Sequence, residues 1–270
     1  MDKIAFIGAG SMAEAIIAGI IHKSLLTSEQ IYVTNKSDVN RLEELKQTYN
    51  IVSHNNKEQV IDGASIIVLS MKPQDIKEAI QAIRPYIRED QLIISVVAGV
   101  STKRIKQLLG KDVPIIRAMP NTSASIGLSG TAISQGPLAT NEHLAIAKQL
   151  FNTIGLTVVV AEKEMHIVTA ISGSGPAYIY YLVEAMEEAA IAAGCDQEIA
   201  HELIVQMIKG ASEMLKTSGK SAKELRKEIT SPEGTTEAGL KTLATYNFQE
   251  ALQACVDRAR GRSVELGKKF

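Results

Sequence analysis

The first half of the chain alternates short apolar runs with longer amphipathic runs. Apolar runs of strand length are "KIAFIG", "QIYVTN", "ASIIVLSM", "LIISVVAG" and "VPIIRAMP", with "GLTVVVA" later in the chain. Between them, apolar residues recur every three or four positions, as in "SMAEAIIAGIIHKSLL" and "SDVNRLEELKQTYN". Continuous apolar runs are typical of strands buried on both faces, and the intervening spacing predicts helices. The alternation therefore predicts βαβ units and a doubly wound parallel sheet.

The pattern changes at about Glu162, where the strand signals stop. The rest of the chain has helical spacing, as in "PAYIYYLVEAMEEAAIAAG" and "DQEIAHELIVQMIKGASEMLKTSG". We therefore expect a Rossmann-like α/β domain over residues 1–161 and an all-α C-terminal dimerisation domain over residues 162–270. Helices this rich in alanine and poor in aromatic residues make a thin core, so we expect a homodimer built by these helices.

Composition narrows the function classes. A length of 270 residues fits two domains. The net charge of −1 and the aromatic content of 4% argue against nucleic-acid binding. Cys195 and Cys255 form no CxxC pair, so we expect no metal site and no disulfide framework. The apolar runs are too short to span a bilayer, and the glycine turn at Gly8 leaves no room for a secretory segment, so a cytoplasmic protein is expected.

A glycine-rich turn joins the first predicted strand to the first predicted helix. In "GAGSMA", Gly8, Gly10 and Ala13 have the GxGxxA spacing. Gly8 permits the tight turn, Gly10 lets a pyrophosphate approach the backbone, and Ala13 lets the helix pack closely on the strand. A helix N-terminus also favours phosphate charge. The turn predicts a dinucleotide site at the carboxyl edge of the sheet, to which residues 35–37, 70–74, 98–100 and 119–122 also belong.

The end of the second strand discriminates between the two nicotinamide cofactors. Enzymes that prefer NAD usually carry an acidic residue there, which accepts hydrogen bonds from the ribose 2′-hydroxyl. This chain has Asn35, Lys36 and Ser37, all of which can donate to a 2′-phosphate. The residues favour NADP(H), and NAD(H) stays the alternative. Lys36 as a solvated surface lysine is the other interpretation.

Two hydroxyl-rich turns lie in the helical half. In "SGSGPAY", Ser174 is expected as a helix N-cap and Pro176 in the first turn. In "TSPEGTTEAGL", Thr235 and Thr236 lie where the N-terminal donors of a helix point outward. Both turns are compatible with simple helix corners. Together they favour a site that holds a small carboxylate with neutral donors.

These motifs, with "SMKPQD" and "AMPNT", occur in one order along the chain and resemble those of pyrroline-5-carboxylate reductase. The resemblance implies reduction of 1-pyrroline-5-carboxylate to L-proline with NAD(P)H by a homodimer, and larger rings of dimers stay open. The implied cofactor-binding residues are Gly8, Ala9, Gly10, Ser11, Met12, Asn35, Lys36, Ser37, Asn56, Ser70, Met71, Lys72, Pro73 and Asn121. The implied substrate-binding residues are Ser174, Gly175, Gly234, Thr235 and Thr236. The chain departs from the family pattern at Glu233, where glycine is common, and at Lys36, where arginine is frequent.

The residues contain no obvious acid–base pair, which suits this chemistry. A protonated cyclic imine already accepts hydride, so the protein needs to hold the carboxylate, orient the ring and satisfy the nitrogen. The resemblance assigns Thr236 to the nitrogen, and His166 is the weaker candidate. A six-membered imine analogue stays open as the substrate.

Two other classes compete with this interpretation. A β-hydroxyacid or 6-phosphogluconate-type dehydrogenase needs a base, typically lysine, and the chain has no lysine between Ala170 and Gly194. A non-catalytic dinucleotide sensor would need "GAGSMA" but not the two later turns.

Overall fold

In the computed structural model, which describes residues 2–269, the strands form one eight-stranded sheet. The strands are β1 (Ile4–Ile7), β2 (Ile31–Thr34), β3 (Val52–Ser53), β4 (Ile66–Leu69), β5 (Leu92–Ser95), β6 (Ile115–Met119), β7 (Ser129–Gln135) and β8 (Gly155–Val159). Their order in the sheet is β3-β2-β1-β4-β5-β6-β7-β8. Successive strands are added on one side of β1 as far as β3 and on its other side from β4 onward. The switch point, where doubly wound sheets bind ligands, therefore lies between β1 and β4.

The helices alternate with the strands up to β8 and then follow one another. They are α1 (Ser11–His22), α2 (Val39–Tyr49), α3 (Lys57–Ile61), α4 (Ile76–Ile83), α5 (Thr102–Leu109), α6 (Asn141–Phe151), α7 (Met165–Val168), α8 (Gly175–Ala192), α9 (Gln197–Thr217), α10 (Ala222–Glu228), α11 (Thr235–Thr245) and α12 (Phe248–Lys269). A π-helical turn, Thr169–Gly173, joins α7 to α8. The six strands predicted from apolar runs and the helical second half are confirmed.

The sequence pattern missed β7, which is antiparallel to β6 and parallel to β8. Its sequence, "SGTAISQ", carries hydroxyl groups where a buried strand usually carries branched apolar residues. Ser129, Thr131 and Ser134 are nevertheless buried. The Ser129 and Thr131 hydroxyl groups lie 3.0 Å apart and bond to each other. That pairing lowers the cost of burying two hydroxyl groups, and it makes a polar-looking segment an interior strand.

Both faces of the sheet are covered by apolar side chains, as a parallel sheet requires. On one face, Ile16 and Ile20 of α1 pack with Phe6 and Ile94 of the sheet. On the other face, Ile80 of α4 is buried in a second cluster, together with the strand residues that alternate with those of the first cluster. Helices cover both faces, and a cleft opens at the carboxyl ends of β1, β2 and β4.

The chain divides into two compact units. The first comprises the described residues up to Pro176 and from Asp257 onward, and the second comprises Ala177–Val256. The predicted domain boundary between residues 161 and 162 stays a prediction, because it divides the chain by function and the two units divide it by compactness.

The second unit consists of helices with little buried apolar surface of their own. Among its described residues, the buried hydrophobic side chains are Ala200 and Ile204. The apolar side chains it leaves exposed include Ile179, Tyr180, Tyr181, Ile199, Leu203, Val205, Met207, Met214, Leu215, Leu243 and Tyr246. No helix within residues 2–269 is both long and apolar enough to cross a membrane.

Candidate functional site

Gly8 shapes the turn at the end of β1. Its φ of +121° lies outside the region open to other residues, and a Cβ there would be 2.7 Å from the carbonyl carbon of Ser70. The Gly8 N–H donates to Thr34 O at 2.8 Å, which ties the turn to β2. The turn is therefore held between the ends of β2 and β4, where only glycine fits.

The N-terminus of α1 is open at the turn. Gly10 is its N-cap, with extended backbone and no side-chain cap. A Cβ at Gly10 would meet nothing within 4 Å. The first N–H groups of α1, including those of Ser11 and Met12, have no intrahelical acceptor. Open space beside uncapped donors fits a dinucleotide pyrophosphate, as the sequence predicted.

The carbonyl groups of the same turn are bonded to the protein. The Ser70 hydroxyl donates to Gly8 O at 3.0 Å, and the Arg41 guanidinium donates from Nε to Ala9 O at 2.9 Å. Arg41 also pairs with Glu14 and Glu44, and these hydrogen bonds raise its pKa. With the carbonyls taken, the turn presents its donors. Sequence reasoning missed Arg41, because it lies on α2, far from the motif along the chain.

A cleft of about 160 Å³ opens beside the turn. It is lined by Ile7, Gly8, Asn35, Lys36, Lys57, Met71, Asp75, Glu78, Ala79 and Ala82. Four of these, Gly8, Asn35, Lys36 and Met71, were predicted cofactor residues. Lys57, Asp75 and Glu78 add charges that the sequence did not place here.

The three polar residues after β2 have different surroundings. Asn35 holds the loop, because its Oδ1 accepts from Asp38 N at 3.1 Å and its Nδ2 donates to Asp38 O at 2.6 Å. The Lys36 ammonium lies 2.5 Å from Glu78 Oε2. Ser37 is exposed. Asn35 therefore has its amide bonded to backbone, and of these three residues Lys36 is the cation that faces the cleft.

Three further predicted cofactor residues lie at the neighbouring loops. Asn56 is the N-cap of α3, and its Oδ1 accepts from Glu58 N at 2.9 Å. Lys72 is exposed after β4, and Pro73 begins the short 3₁₀ turn that leads to α4. Their proximity to β2 and β4 is compatible with the predicted role, but Asn56, Lys72 and Pro73 do not line the cleft described above.

Asn121 connects two loops at the end of β6. Its Oδ1 accepts from Ser123 N at 3.1 Å, and its Nδ2 donates to Ser172 O at 3.2 Å. The Ser172 hydroxyl in turn donates to Gly130 O at 2.7 Å. A Cβ at Gly173 would lie 2.6 Å from Met119 Cε, so glycine permits this close approach. Asn121 thus positions the π-helical turn against β6 and β7.

The first hydroxyl-rich turn differs from its prediction. Ser174 is not an extended N-cap, because its φ of −92° and ψ of −20° are helical. Its N–H donates to Thr169 O at 2.8 Å, as the π-helical turn requires. The chain then continues directly into α8 at Gly175. The prediction of a helix N-cap at Ser174 is wrong, and the residue is half-buried.

The second hydroxyl-rich turn has the expected form. Gly234 is the extended N-cap of α11, without a side-chain cap, and Thr235 and Thr236 open the helix. A Cβ at Gly234 would lie 3.1 Å from Ser231 O. Glu233 is exposed and has a φ of +62°, the left-handed region that favours glycine. Its side chain faces solvent, and its N–H donates to Glu237 Oε2 at 3.0 Å.

His166 belongs to a polar cluster that includes a buried arginine. His166 Nδ1 and Ser263 Oγ are 2.9 Å apart. Arg117 is 2% exposed, and its Nη1 is 3.7 Å from Glu162 Oε1. Burial, and then the charge of Arg117, lower the pKa of His166 below its ordinary value. The lowered pKa disfavours the protonated form of His166, which is the form that would donate a proton to a substrate. Among the described residues, no group of three His, Cys, Asp or Glu side chains is placed to bind a metal.

A larger cavity, of about 550 Å³, lies at the opposite edge of the sheet. Its lining includes Val113 and Ile115 at the start of β6, and Lys103, Lys106 and Lys111. Lys106 pairs with Asp112 at 2.7 Å, and Lys111 donates to Ile87 O. Size alone would favour this cavity, but doubly wound sheets bind ligands at the carboxyl edge, where the glycine turn lies.

Comparison with known proteins identifies the family. The chain is 47% identical to pyrroline-5-carboxylate reductase 2 of Bacillus subtilis, covering 100% of this chain and 97% of the relative. The chain belongs to the pyrroline-5-carboxylate reductase family. Residues 162–266 match the family model for pyrroline-5-carboxylate reductase dimerisation, and residues 3–99 match the model for coenzyme F420-dependent NADP oxidoreductases.

Solved structures agree with this membership of the pyrroline-5-carboxylate reductase family. The Coxiella burnetii reductase superposes with a TM-score of 0.90 at 34% identity, covering 98% of each chain. The Plasmodium falciparum reductase, solved with NADP bound, has a TM-score of 0.89 at 28% identity, again covering 98% of each chain. The resemblance seen in the motifs and the expected fold class are confirmed.

Proposed function

We propose that this protein reduces 1-pyrroline-5-carboxylate to L-proline, the final step of proline synthesis, with NADPH as its preferred hydride donor. The observation that carries the proposal is the full-length likeness to the Bacillus subtilis reductase. The open N-terminus of α1 and the shape of the glycine turn support it, because they fit a dinucleotide.

The protein's part in the reaction is binding and orientation. The nicotinamide cofactor supplies the hydride when bound. The α1 donors at Ser11 and Met12 would hold the pyrophosphate, and Lys36 would hold the 2′-phosphate. Because a protonated cyclic imine is already electrophilic at carbon, no side-chain base is needed in this direction.

The substrate residues are assigned on family likeness and on local chemistry. Ser174, Gly175, Gly234 and Thr235 offer neutral donors to the carboxylate, and the Thr236 hydroxyl bonds to the ring nitrogen. It donates to the lone pair of the neutral imine and accepts from the N–H of the iminium. The α11 N-terminus supports this assignment, because it is uncapped by any side chain. Such donors favour an anion without introducing a positive charge beside the iminium.

The preference for NADPH over NADH is supported by the cationic residue after β2. The Plasmodium falciparum relative, solved with NADP bound, is consistent with it. A homodimer formed by the C-terminal helices follows from the matched dimerisation model. A ring of dimers and a cytoplasmic location stay predictions.

Replacing Thr236 tests the proposed mechanism. Thr236→Ala is expected to lower kcat for NADPH-dependent imine reduction by about ten- to a hundredfold, as for one lost transition-state hydrogen bond. Thr245→Ala removes the same group from the other end of α11, where the hydroxyl bonds to Lys241 O, and is expected to keep kcat. Equal kcat values for the two variants would remove Thr236 from the mechanism.

A further inference from the structure

The cleft beside the glycine turn carries charges of both signs. Lys36 and Lys57 supply two ammonium groups, and Asp75 and Glu78 supply two carboxylates. In the sequence, Lys36 is the charged residue that comes directly after the end of β2, and by itself it indicates a cationic site. The fold brings Glu78 of α4 to the same place, so the formal charge of the four groups is zero.

Lys36 is bonded to Glu78. The ammonium and carboxylate are 2.5 Å apart, and the pair joins the β2–α2 loop to the start of α4. The hydrogen bond that Lys36 donates to Glu78, and the negative charge of Glu78, raise the pKa of Lys36, with a smaller contribution from Asp75. Lys36 is therefore a fully charged cation whose negative partner is already in the protein.

A 2′-phosphate must compete for that cation. The phosphate carries about 1.5 to 2 negative charges near neutral pH and binds through charge-assisted hydrogen bonds. To meet it, Lys36 must leave Glu78 or share its donors between two anions. NADH has a neutral 2′-hydroxyl and faces no such competition.

We propose that Glu78 is a specificity-determining residue, which narrows the preference for NADPH over NADH by competing with the 2′-phosphate for Lys36. This inference rests on the proposed use of NADP(H) at this cleft and concerns the cofactor ratio. Both side chains are more than half exposed, at 63% and 64%, so solvent screens the pair and the effect is moderate.

The test compares dissociation constants of NADPH and NADH, measured by fluorescence titration without imine. Glu78→Gln keeps the shape and removes the charge. It is expected to lower the dissociation constant of NADPH by about three- to tenfold, as for a partly screened charge contact. The dissociation constant of NADH is expected to change by less than about twofold. A matched control is Glu89→Gln, which removes the same charge at the opposite edge of the sheet and is expected to leave the NADPH/NADH ratio unchanged.

A double variant separates competition from simple repulsion. If Glu78 acts through Lys36, then Glu78→Gln made in a Lys36→Gln background changes NADPH binding by less than about twofold, since additivity fails for groups that interact. A full effect in that background would overturn the competition. So would an unchanged NADPH/NADH ratio in Glu78→Gln alone, or an equal gain for both cofactors.

Binding measured without imine keeps this inference apart from the proposed reaction. If the wild-type protein binds NADPH but reduces no imine, the proposed function fails, and the NADPH/NADH ratio of Glu78→Gln still decides the role of Glu78. If imine is reduced and the ratio does not move, the inference about Glu78 fails alone.

Discussion

Several polar side chains at the carboxyl edge of the sheet hold loops in place. Asn35 is bonded to Asp38, Asn121 to Ser172, and Ser70 to the Gly8 carbonyl. With these polar groups bonded to the protein, the groups left to face the cleft are backbone N–H groups and the charged side chains of Lys36, Lys57, Asp75 and Glu78. The residue types predicted where the site lies, but which side chains bind ligand and which bind protein depends on neighbours distant in sequence.

Glu233 carries a left-handed backbone that glycine adopts at lower cost. Glu233→Gly is expected to raise the free energy of unfolding by up to about 1 kcal/mol, because the relief of strain exceeds the entropy that glycine adds to the unfolded chain. Urea unfolding at fixed protein concentration measures it. The same substitution at Glu202, in the interior of α9, is expected to lower the free energy by about 1 kcal/mol. Equal losses at both positions would contradict strain at Glu233.

At the scale of elements, apolar runs predicted strands well and hydroxyl-rich segments poorly. β1, β4 and β5 are continuous apolar runs buried in the sheet. β7 was not predicted because its sequence is rich in hydroxyl groups. Two of them, on Ser129 and Thr131, bond to each other in the folded chain, which no single-residue preference reveals. The π-helical turn before α8 escaped for a related reason. It depends on the packing of Gly173 against Met119, a contact between distant segments.

The contact between α7 and α12 predicts a pH dependence of stability. The folded protein lowers the pKa of His166 from its ordinary value of 6.5, so in mildly acidic solution the unfolded chain binds the extra proton first. The free energy of unfolding is therefore expected to fall as pH drops through about 6.5, and to level off below the folded pKa. Chemical unfolding from pH 8 to pH 5 measures the slope. His166→Gln should flatten it, and an unchanged slope in that variant would assign the dependence to other groups.

At the scale of the whole molecule, the helical unit leaves an apolar surface that one chain does not cover. We expect a solution mass of about twice 29.1 kDa or a multiple of it by light scattering. Leu203→Lys, on an exposed position of α9, should weaken dimerisation at least tenfold, roughly the loss expected for a buried apolar contact at an interface. Val39→Lys, on the exposed face of α2, is the matched control and should keep the mass. A monomeric wild-type protein would contradict the dimer.

The family could be predicted from motifs that lie far apart in the sequence but in a fixed order. The strands of the sheet could be predicted from the apolar runs. The pairing of Lys36 with Glu78 could not be predicted from the sequence, because the two residues meet only when β2 and α4 come together at the edge of the sheet. The proposed role of Glu78 in cofactor preference therefore depends on the folded structure, whereas the reaction class could be predicted from the sequence.

The most direct test of the central claim is NADPH oxidation at 340 nm with purified protein and 1-pyrroline-5-carboxylate, with proline quantified in the same samples and NADH run in parallel. We predict one proline formed for each NADPH consumed, and a higher kcat/KM with NADPH than with NADH. Tight NADPH binding with no proline formed would contradict the proposed reaction and indicate a different imine substrate or a non-catalytic role.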